Sequence, residues 1–419
     1  MFRPLLLLAL LLSSPFAARA ASPAPASVPA KPSAFGVAAH GNVNIEWWYV
    51  NTHVTTQAGH HYALIGSFFQ FGNGRSPFDQ TTSAPRAHYL IYAVTDLDNK
   101  TQRPYSLGDA SMIAYLKQIA PFLAVQNPHD KGAQALLAAL NKGILPPPHQ
   151  QFAGKAVVAS RPFHLAYGTD TLTADDATNT AFTLDLGAGG RDQIHLTLQS
   201  QKPAMAVGGK GETGLKRAND MYYFSLTRCR VGGTINTGAG AETITGGDGW
   251  FDHQWGNSWV ASNNGWDWWG VQLTDGTDIL FFRQRDLKTG KIFFPLATFM
   301  DKNGHQTVTK NITFTPDKSS RWTSPRTHVS YPLAWTVAFP DHNLSLRITT
   351  RVPDQEMPIL GPGSGIWEGA CDVAAMPLRT PVPGVVSMPA LLGTAYMELV
   401  GYGSPAVKAQ MAKRTARAK

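Results

Sequence analysis

The chain has 419 residues, 43% of them hydrophobic, with 39 glycines, 29 prolines and a formal charge of +8. That length suits two domains, and the apolar content excludes a disordered chain while favouring a turn-rich, β-heavy one. The charge excludes less than it promises. Arg3 and Arg19 fall in the first twenty residues, and Lys408, Lys413, Arg414, Arg417 and Lys419 in an acid-free tail, so the body between carries only +1 and no basic stripe for a nucleic acid.

Arg3, the apolar run Leu5 to Leu12 and the Ala18-Arg19-Ala20 site read as a signal peptide over residues 1–20. The run is too short to span a bilayer, and no cysteine follows the site to carry a lipid. The expectation is an exported protein, periplasmic or secreted from a bacterium, without an integral membrane segment. Residues 21–39 are an Ala/Pro linker. The basic tail, 404–419, is a solvated end or a peripheral contact with an anionic surface.

Glu46 to Asn51 is a strand by composition; His61 to Phe71 returns after a turn at Gly59, and Ala87 to Val94 is a third. Between about 106 and 150 the period changes. Met112, Ile113, Tyr115, Leu116 and Ile119 recur at helical spacing. A second helix runs from Asp130 as N-cap through Leu136, Leu137 and Leu140 to Gly143, before Pro146-Pro147-Pro148. This helical insertion either covers a pocket or packs on an outer face.

Strand signals resume at Ala156 to Val158, Phe163 to Tyr167, Phe182 to Leu186, Ile194 to Leu198 and Tyr222 to Arg228. Short strands split by Gly and Asn/Asp turns argue an antiparallel barrel or sandwich. The boundaries expected are 40–230 for the first β-domain and 231–403 for the second. The second contains strands at Val329 to Tyr331, Ala334 to Phe339, Leu344 to Thr349, Gly365 to Gly369 and Ala395 to Val400. Cys229 and Cys371 are the only cysteines, and their spacing leaves a disulfide open.

The unusual chemistry is concentrated in Gly249–Gly256 and Gly265–Gly270, which hold five of the eleven tryptophans, with Asp252, Asp267 and His253 among them. A carboxyl among indoles loses water, which favours its proton-donating form. The plainer reading is a buried seam in which the carboxylates only brace backbone. Strand alternation puts His253 with Trp255 on one face and Asp252 with Gln254 on the other; Asp267 goes with Trp269, and Trp266 with Trp268. No HExxH or Cys/His array is present, and no glycine loop to cradle a nucleotide, so neither metal nor cofactor is expected. Gly-x-Ser-x-Gly is absent too; in Gly361-Pro362-Gly363-Ser364-Gly365 the serine is out of register. Acid–base chemistry remains. One internal echo stands out. Glu46-Trp47-Trp48 and Asp267-Trp268-Trp269 each open a hairpin, ending in Phe68-Phe69-Gln70 and Phe281-Phe282-Arg283, which suggests two related domains.

The run of motifs resembles the lipocalin-like family of carotenoid 1,2-hydratase (hydroxyneurosporene synthase) and the bacterial attachment-type proteins. The pieces that carry it are Glu46 to Asn51, Ser67-Phe68-Phe69, Tyr222 to Arg228, Gly249 to Trp255, Trp266-Asp267-Trp268, Gln355-Glu356, Trp367-Glu368-Gly369 and Glu398 to Tyr402, spread from about His40 to Gly403. The resemblance implies two tandem lipocalin-like antiparallel β-domains holding a hydrophobic small molecule, and a cofactor-free hydratase. Two departures are visible. Relatives carry Asp-His-Glu-Trp where this chain has Gln254. The hydratases also carry a tyrosine and an aspartate on the strand after the Trp-Asp-Trp hairpin, where this chain shows no carboxylate from Ile279 until Asp286.

The leading expectation is therefore an apolar, isoprenoid or lipid-like ligand, hydrated or protonated without a cofactor. Asp252, Asp267 and Glu46 are the candidate acids and His253 is the partner that orients water. Trp47, Trp48, Trp255, Trp268, Trp269, Phe282 and Glu368 line the ligand. A non-catalytic carrier or envelope-attachment protein is the alternative, and a glycan-active protein the third.

Overall fold

The computed structural model describes residues 36–74, 83, 85–126, 131–174, 179–213, 221–257, 264–287, 289–360, 365–376 and 391–403. The signal, most of the linker, Asp130, the Gly361–Ser364 stretch and the basic tail lie outside them. The chain is mainly β, in two curled antiparallel sheets. In the first, Ile45–Thr56 runs between His61–Phe71 and Ala241–Gly256; beyond these lie Ala87–Asp96 and Thr101–Gly108 on one side, and Met221–Asn236 and Gln193–Ser200 on the other. In the second, Asn264–Leu273 runs between Asp278–Asp286 and Leu391–Leu399, with Gly365–Ala375 next.

Each sheet thus places its first strand between its hairpin partner and its own last strand. Glu46 opposes Gln70 and Trp255 across that arrangement, and Asp267 opposes Arg283 and Leu399. The two carboxylate–Trp–Trp segments occupy corresponding places.

The pairing corrects the expected domain boundary. Position 230 falls inside Met221–Asn236, and that strand and Ala241–Gly256 both pair within the first sheet. Gly249–Gly256 closes the first domain rather than opening the second, whose first strand begins at Asn264. A strand is assigned by what it hydrogen-bonds to, and composition does not reveal that.

Three apolar cores follow from strand alternation. One fills the first curl around Trp48, Phe224, Phe251 and Trp255. Another fills the second curl around Trp269, Phe281, Trp335 and Trp367. The third lies between the sheets and takes Tyr49, Tyr223 and Trp250 from the first, and Trp268, Phe282 and Tyr396 from the second. Ile45–Thr56 is therefore buried on both faces. Cys229 and Cys371 are free thiols in separate curls.

The helical insertion packs on this middle core. Ala110–Gln126 contributes Met112, Ile113 and Leu116, and Lys131–Asn141 contributes Leu136 and Leu140. Asp109 caps the first helix, its carboxylate accepting the Met112 N–H at 2.7 Å and facing His88 Nδ1 at 2.7 Å. Among the described residues no helix is long and apolar enough to cross a membrane.

Polar contacts pin the sheets together. Asp278 of the second is fully buried and accepts from Lys202 (2.7 Å), Arg228 (2.6 Å) and Thr227 (2.8 Å) of the first. Gln272 donates across the seam to the Thr227 and Gly249 carbonyls. Removing one member of a buried ion pair strands its partners, at about 3–5 kcal/mol. Asp278→Ala is therefore expected to lower the urea midpoint substantially, whereas removing the exposed Asp301–His305 pair leaves it nearly unchanged; equal midpoints for the two variants would refute the clamp.

Candidate functional site

The middle core contains three carboxyl groups. Asp252 projects from Ala241–Gly256, opposite Tyr49 on one neighbouring strand and Ser225 on the other. Glu398 lies directly opposite Glu368 and also opposite Trp268 in the second sheet. Side chains so opposed are about 5 Å apart at the Cβ atoms, and like charges there repel.

Asp252 accepts three hydrogen bonds, from Tyr223 at 2.6 Å, Ser225 at 2.5 Å and the Trp250 indole at 2.6 Å. Tyr223 in turn accepts from the Trp268 indole at 3.0 Å, which fixes its own proton towards Asp252. Burial nonetheless lifts Asp252 to about 6, against those three donors. Glu368 is raised well above the usual range, by burial first and then by the charges of Glu398 and Asp252, with a Tyr49 hydrogen bond opposing. Glu398 is raised by burial and by Asp252, opposed by a Trp266 hydrogen bond. Among the described residues, no lysine or arginine acts on any of the three. Carboxyls in that setting hold protons near neutrality.

The same seam holds polar atoms with nothing to bond. Both ring nitrogens of His53 and the hydroxyl of Tyr396 are buried without a partner among the described residues, and the two rings meet edge-on at 5.4 Å. Burial, with Arg351 adding, lowers His53 to about 3, so the ring is neutral. Unpaired buried groups cost about 1–3 kcal/mol each, and a ligand with a hydroxyl or carbonyl group would relieve that cost.

Of the residues expected at the site, Asp252, Glu368, Trp268 and Phe282 face the seam, and Trp47 packs against it. The others do not. His253 is fully buried in the first curl, on the opposite face of its strand from Asp252, so the two cannot act on one ligand. Glu46 faces that curl as well, held by His253 and His40; burial opposes its charge, but the two histidines outweigh it and its pKa falls. Trp48 donates to the Val37 carbonyl at 2.8 Å, and Trp255 stacks on His40 and Tyr222. These two indoles, with Trp269 in the second curl, are core residues rather than ligand walls.

Asp267 is likewise no acid. It accepts from Arg283 at 2.7 Å, from Tyr402 at 2.8 Å and from Arg285. Burial works against its charge, yet the two guanidinium groups prevail and hold it below the usual carboxylate range.

Sequence reasoning missed Tyr49, Tyr223, Ser225, Trp250, Tyr396, Glu398 and His53 as members of one site. The signal was present in the alternation. Trp250-x-Asp252, Tyr223-x-Ser225 and Tyr396-x-Glu398 each set polar groups on one face of an otherwise apolar strand. Gln254 shares the Asp252 face, whereas Leu280 and Phe282 keep their part of the seam apolar.

Known proteins resemble this chain at several levels. An AttH protein from Nitrosomonas europaea has a crystal structure that superposes with a TM-score of 0.62 at 20% identity, covering 87% of this chain and 95% of that one. Kievitone hydratase from Nectria haematococca superposes with a TM-score of 0.60 at 15% identity, covering 88% and 94%. In sequence, the dehydratase AsqC of Emericella nidulans is 30% identical over 166 residues, 38% of this chain and 46% of AsqC, so under half of that relative is matched. The AttH-like family model matches residues 148–402, more than half of the sequence. The chain belongs to the AttH-like family.

Proposed function

We propose that the seam is the active site of a cofactor-independent hydro-lyase, adding water to or removing it from an apolar small molecule. The observation that carries this reading is the trio Asp252, Glu368 and Glu398, buried in an aromatic core with no cation among the described residues acting on it. Asp267 and Asp278, by contrast, are buried against arginine or lysine. A dehydratase and a hydratase among similar proteins support the same class.

In the hydration direction, the Glu368–Glu398 pair gives a proton to one alkene carbon. The Trp250, Trp268 and Tyr49 rings stabilise the resulting cation, and water attacks it. The proton that water loses passes to Asp252 and returns to the glutamate pair. Dehydration is the reverse: Asp252 gives its proton to the leaving hydroxyl, and the glutamate pair takes the proton from the adjacent carbon. His53 and Tyr396 would hold a polar end of the substrate. The ligand is of isoprenoid or lipid-like character because the rest of the lining is apolar. Residues 1–20 would direct the protein to the periplasm or outside the cell. A glycan reading is weaker: sugar platforms need exposed indole faces, and Trp48, Trp250, Trp255, Trp268 and Trp269 are all buried.

The test uses kievitone and an acyclic carotenoid as trial substrates in ¹⁸O-water, with mass spectrometry of the product. Asp252→Asn and Glu398→Gln are each expected to lower kcat by about 10²–10⁴-fold. Binding, followed by quenching of tryptophan fluorescence, should stay within a few-fold of wild type. A protein that binds either compound without altering it, and whose two variants behave like wild type, is a carrier.

The pH profile provides a second check. A raised carboxyl acts as an acid only while it keeps its proton, so kcat should fall as pH rises through about 7, the value to which Glu398 is pushed. Glu398→Gln should remove that limb. A wild-type rate that is flat from pH 5 to pH 9, on the scale where ordinary carboxyls titrate near 4, would count against the assignment.

A further inference from the structure

Three side chains from separate parts of the chain converge inside the first curl, away from the seam. His40 precedes the first strand, Glu46 begins it, and His253 comes from the closing strand Ala241–Gly256. His253 Nε2 and His40 Nδ1 lie 2.9 and 2.7 Å from the same oxygen, Glu46 Oε1. One nitrogen from each ring and a carboxylate oxygen all fall within 4.8 Å of one another.

The other nitrogen of His253 decides what that cluster is. Nδ1 sits 3.0 Å from the Gly36 carbonyl oxygen. A carbonyl only accepts, so Nδ1 carries the hydrogen and the neutral ring presents a lone pair at Nε2. That lone pair points at a carboxylate oxygen. Two acceptors at this distance repel unless a positive centre lies between them.

We propose that the positive centre is a divalent transition metal of the zinc class, bound by His40 Nδ1, Glu46 and His253 Nε2. Two histidines and a carboxylate form a donor set that zinc accepts, with a fourth place left for water. The surroundings match the outer arrangement such ligands require. A backbone carbonyl fixes the far nitrogen of His253, and the His40 N–H holds Glu46 Oε2 at 2.9 Å. The rings are also clamped: Trp255 stacks on His40 at 4.3 Å and 8°, and Trp48 on His253 at 5.0 Å and 15°. Bonds of about 2.0–2.1 Å need tetrahedral donors about 3.3 Å apart, so the two N···O contacts must lengthen by about half an ångström while the ring nitrogens, within 4.8 Å of each other, settle to the same spacing. His40, 30% exposed, has room to move and gives the ion a way in.

The metal would fasten the segment before the first strand to the start of that strand and to the closing strand. It would act on the seam only through the backbone, because His253 and Asp252 point to opposite faces. Sequence search for ligand arrays cannot see this site, since Glu46 and His253 stand 207 positions apart.

The test takes untagged full-length protein, strips it with chelator, dialyses it into metal-free buffer and adds zinc chloride. Bound zinc is counted by mass spectrometry of the elements, and Tm is measured with and without it. Wild type should hold one zinc per chain with a Tm higher by about 5 °C. His40→Ala, at a partly exposed position and checked for native circular dichroism, should lose both effects. His253→Gln should lose them as well. Cobalt(II) in place of zinc should give a tetrahedral visible band without thiolate charge transfer, which excludes Cys229 and Cys371 as ligands. A wild type that retains no zinc, or a His40→Ala protein that retains as much with the same Tm rise, overturns the site and leaves a proton in the gap.

Discussion

Successive residues of a pleated strand point to opposite faces, and over Gly249–Gly256 of the closing strand of the first sheet both of those faces are buried. Ala241–Gly256 lies between Ile45–Thr56 and Met221–Asn236, so it cannot turn to bring neighbouring side chains together. Asp252 is committed to the space between the sheets and His253 to the inside of the curl. The same rule, running along Ile45–Thr56, sends Trp47 and Tyr49 one way and Glu46 and Trp48 the other. The two polar centres of this protein are thus separated by a single strand and share no side chain.

The centres also differ in how they treat charge. Inside each curl a buried carboxylate meets basic groups that keep it ionised: Glu46 with two histidines, Asp267 with two arginines. Between the sheets, burial acts on Asp252, Glu368 and Glu398 with only neutral donors in opposition. Such an arrangement opposes stability, since each group must either keep its proton or be charged in an apolar setting. The clamp at Asp278 and the large apolar seam offset that cost and hold the sheets at a fixed distance.

Much of this was legible in the sequence. Strand positions, the helical insertion, the carboxylate–Trp–Trp echo and the face each motif residue would take all follow from period and composition. The division of those faces among three cores does not, because alternation says which residues travel together without saying what they meet. Asp267 looked as acidic as Asp252 until Arg283 and Arg285 appeared beside it; Arg283 lies directly across the hairpin, so that pairing could have been read from register. Glu398 stands opposite Glu368 only because two late strands pair, and nothing local announces it. The boundary near 230 failed for the same reason: one partner of Ala241–Gly256 is the first strand, with Ile45 opposite Gly256.

The way the helical insertion is attached has an evolutionary consequence. It leaves the sheet after Gly108 and rejoins it at Gln150–Gln151, which pairs in parallel with Leu107 and Gly108. Its two ends are therefore neighbours on one edge, a strand spacing of about 5 Å apart, and the forty-odd residues between them form a cassette. Replacing that cassette leaves every ladder of the sheet intact. Because Met112, Leu116, Leu136 and Leu140 face the middle core, a lineage could reshape the apolar side of its ligand space by exchanging this one segment. The carboxyls, carried on long central strands buried on both faces, would stay where they are.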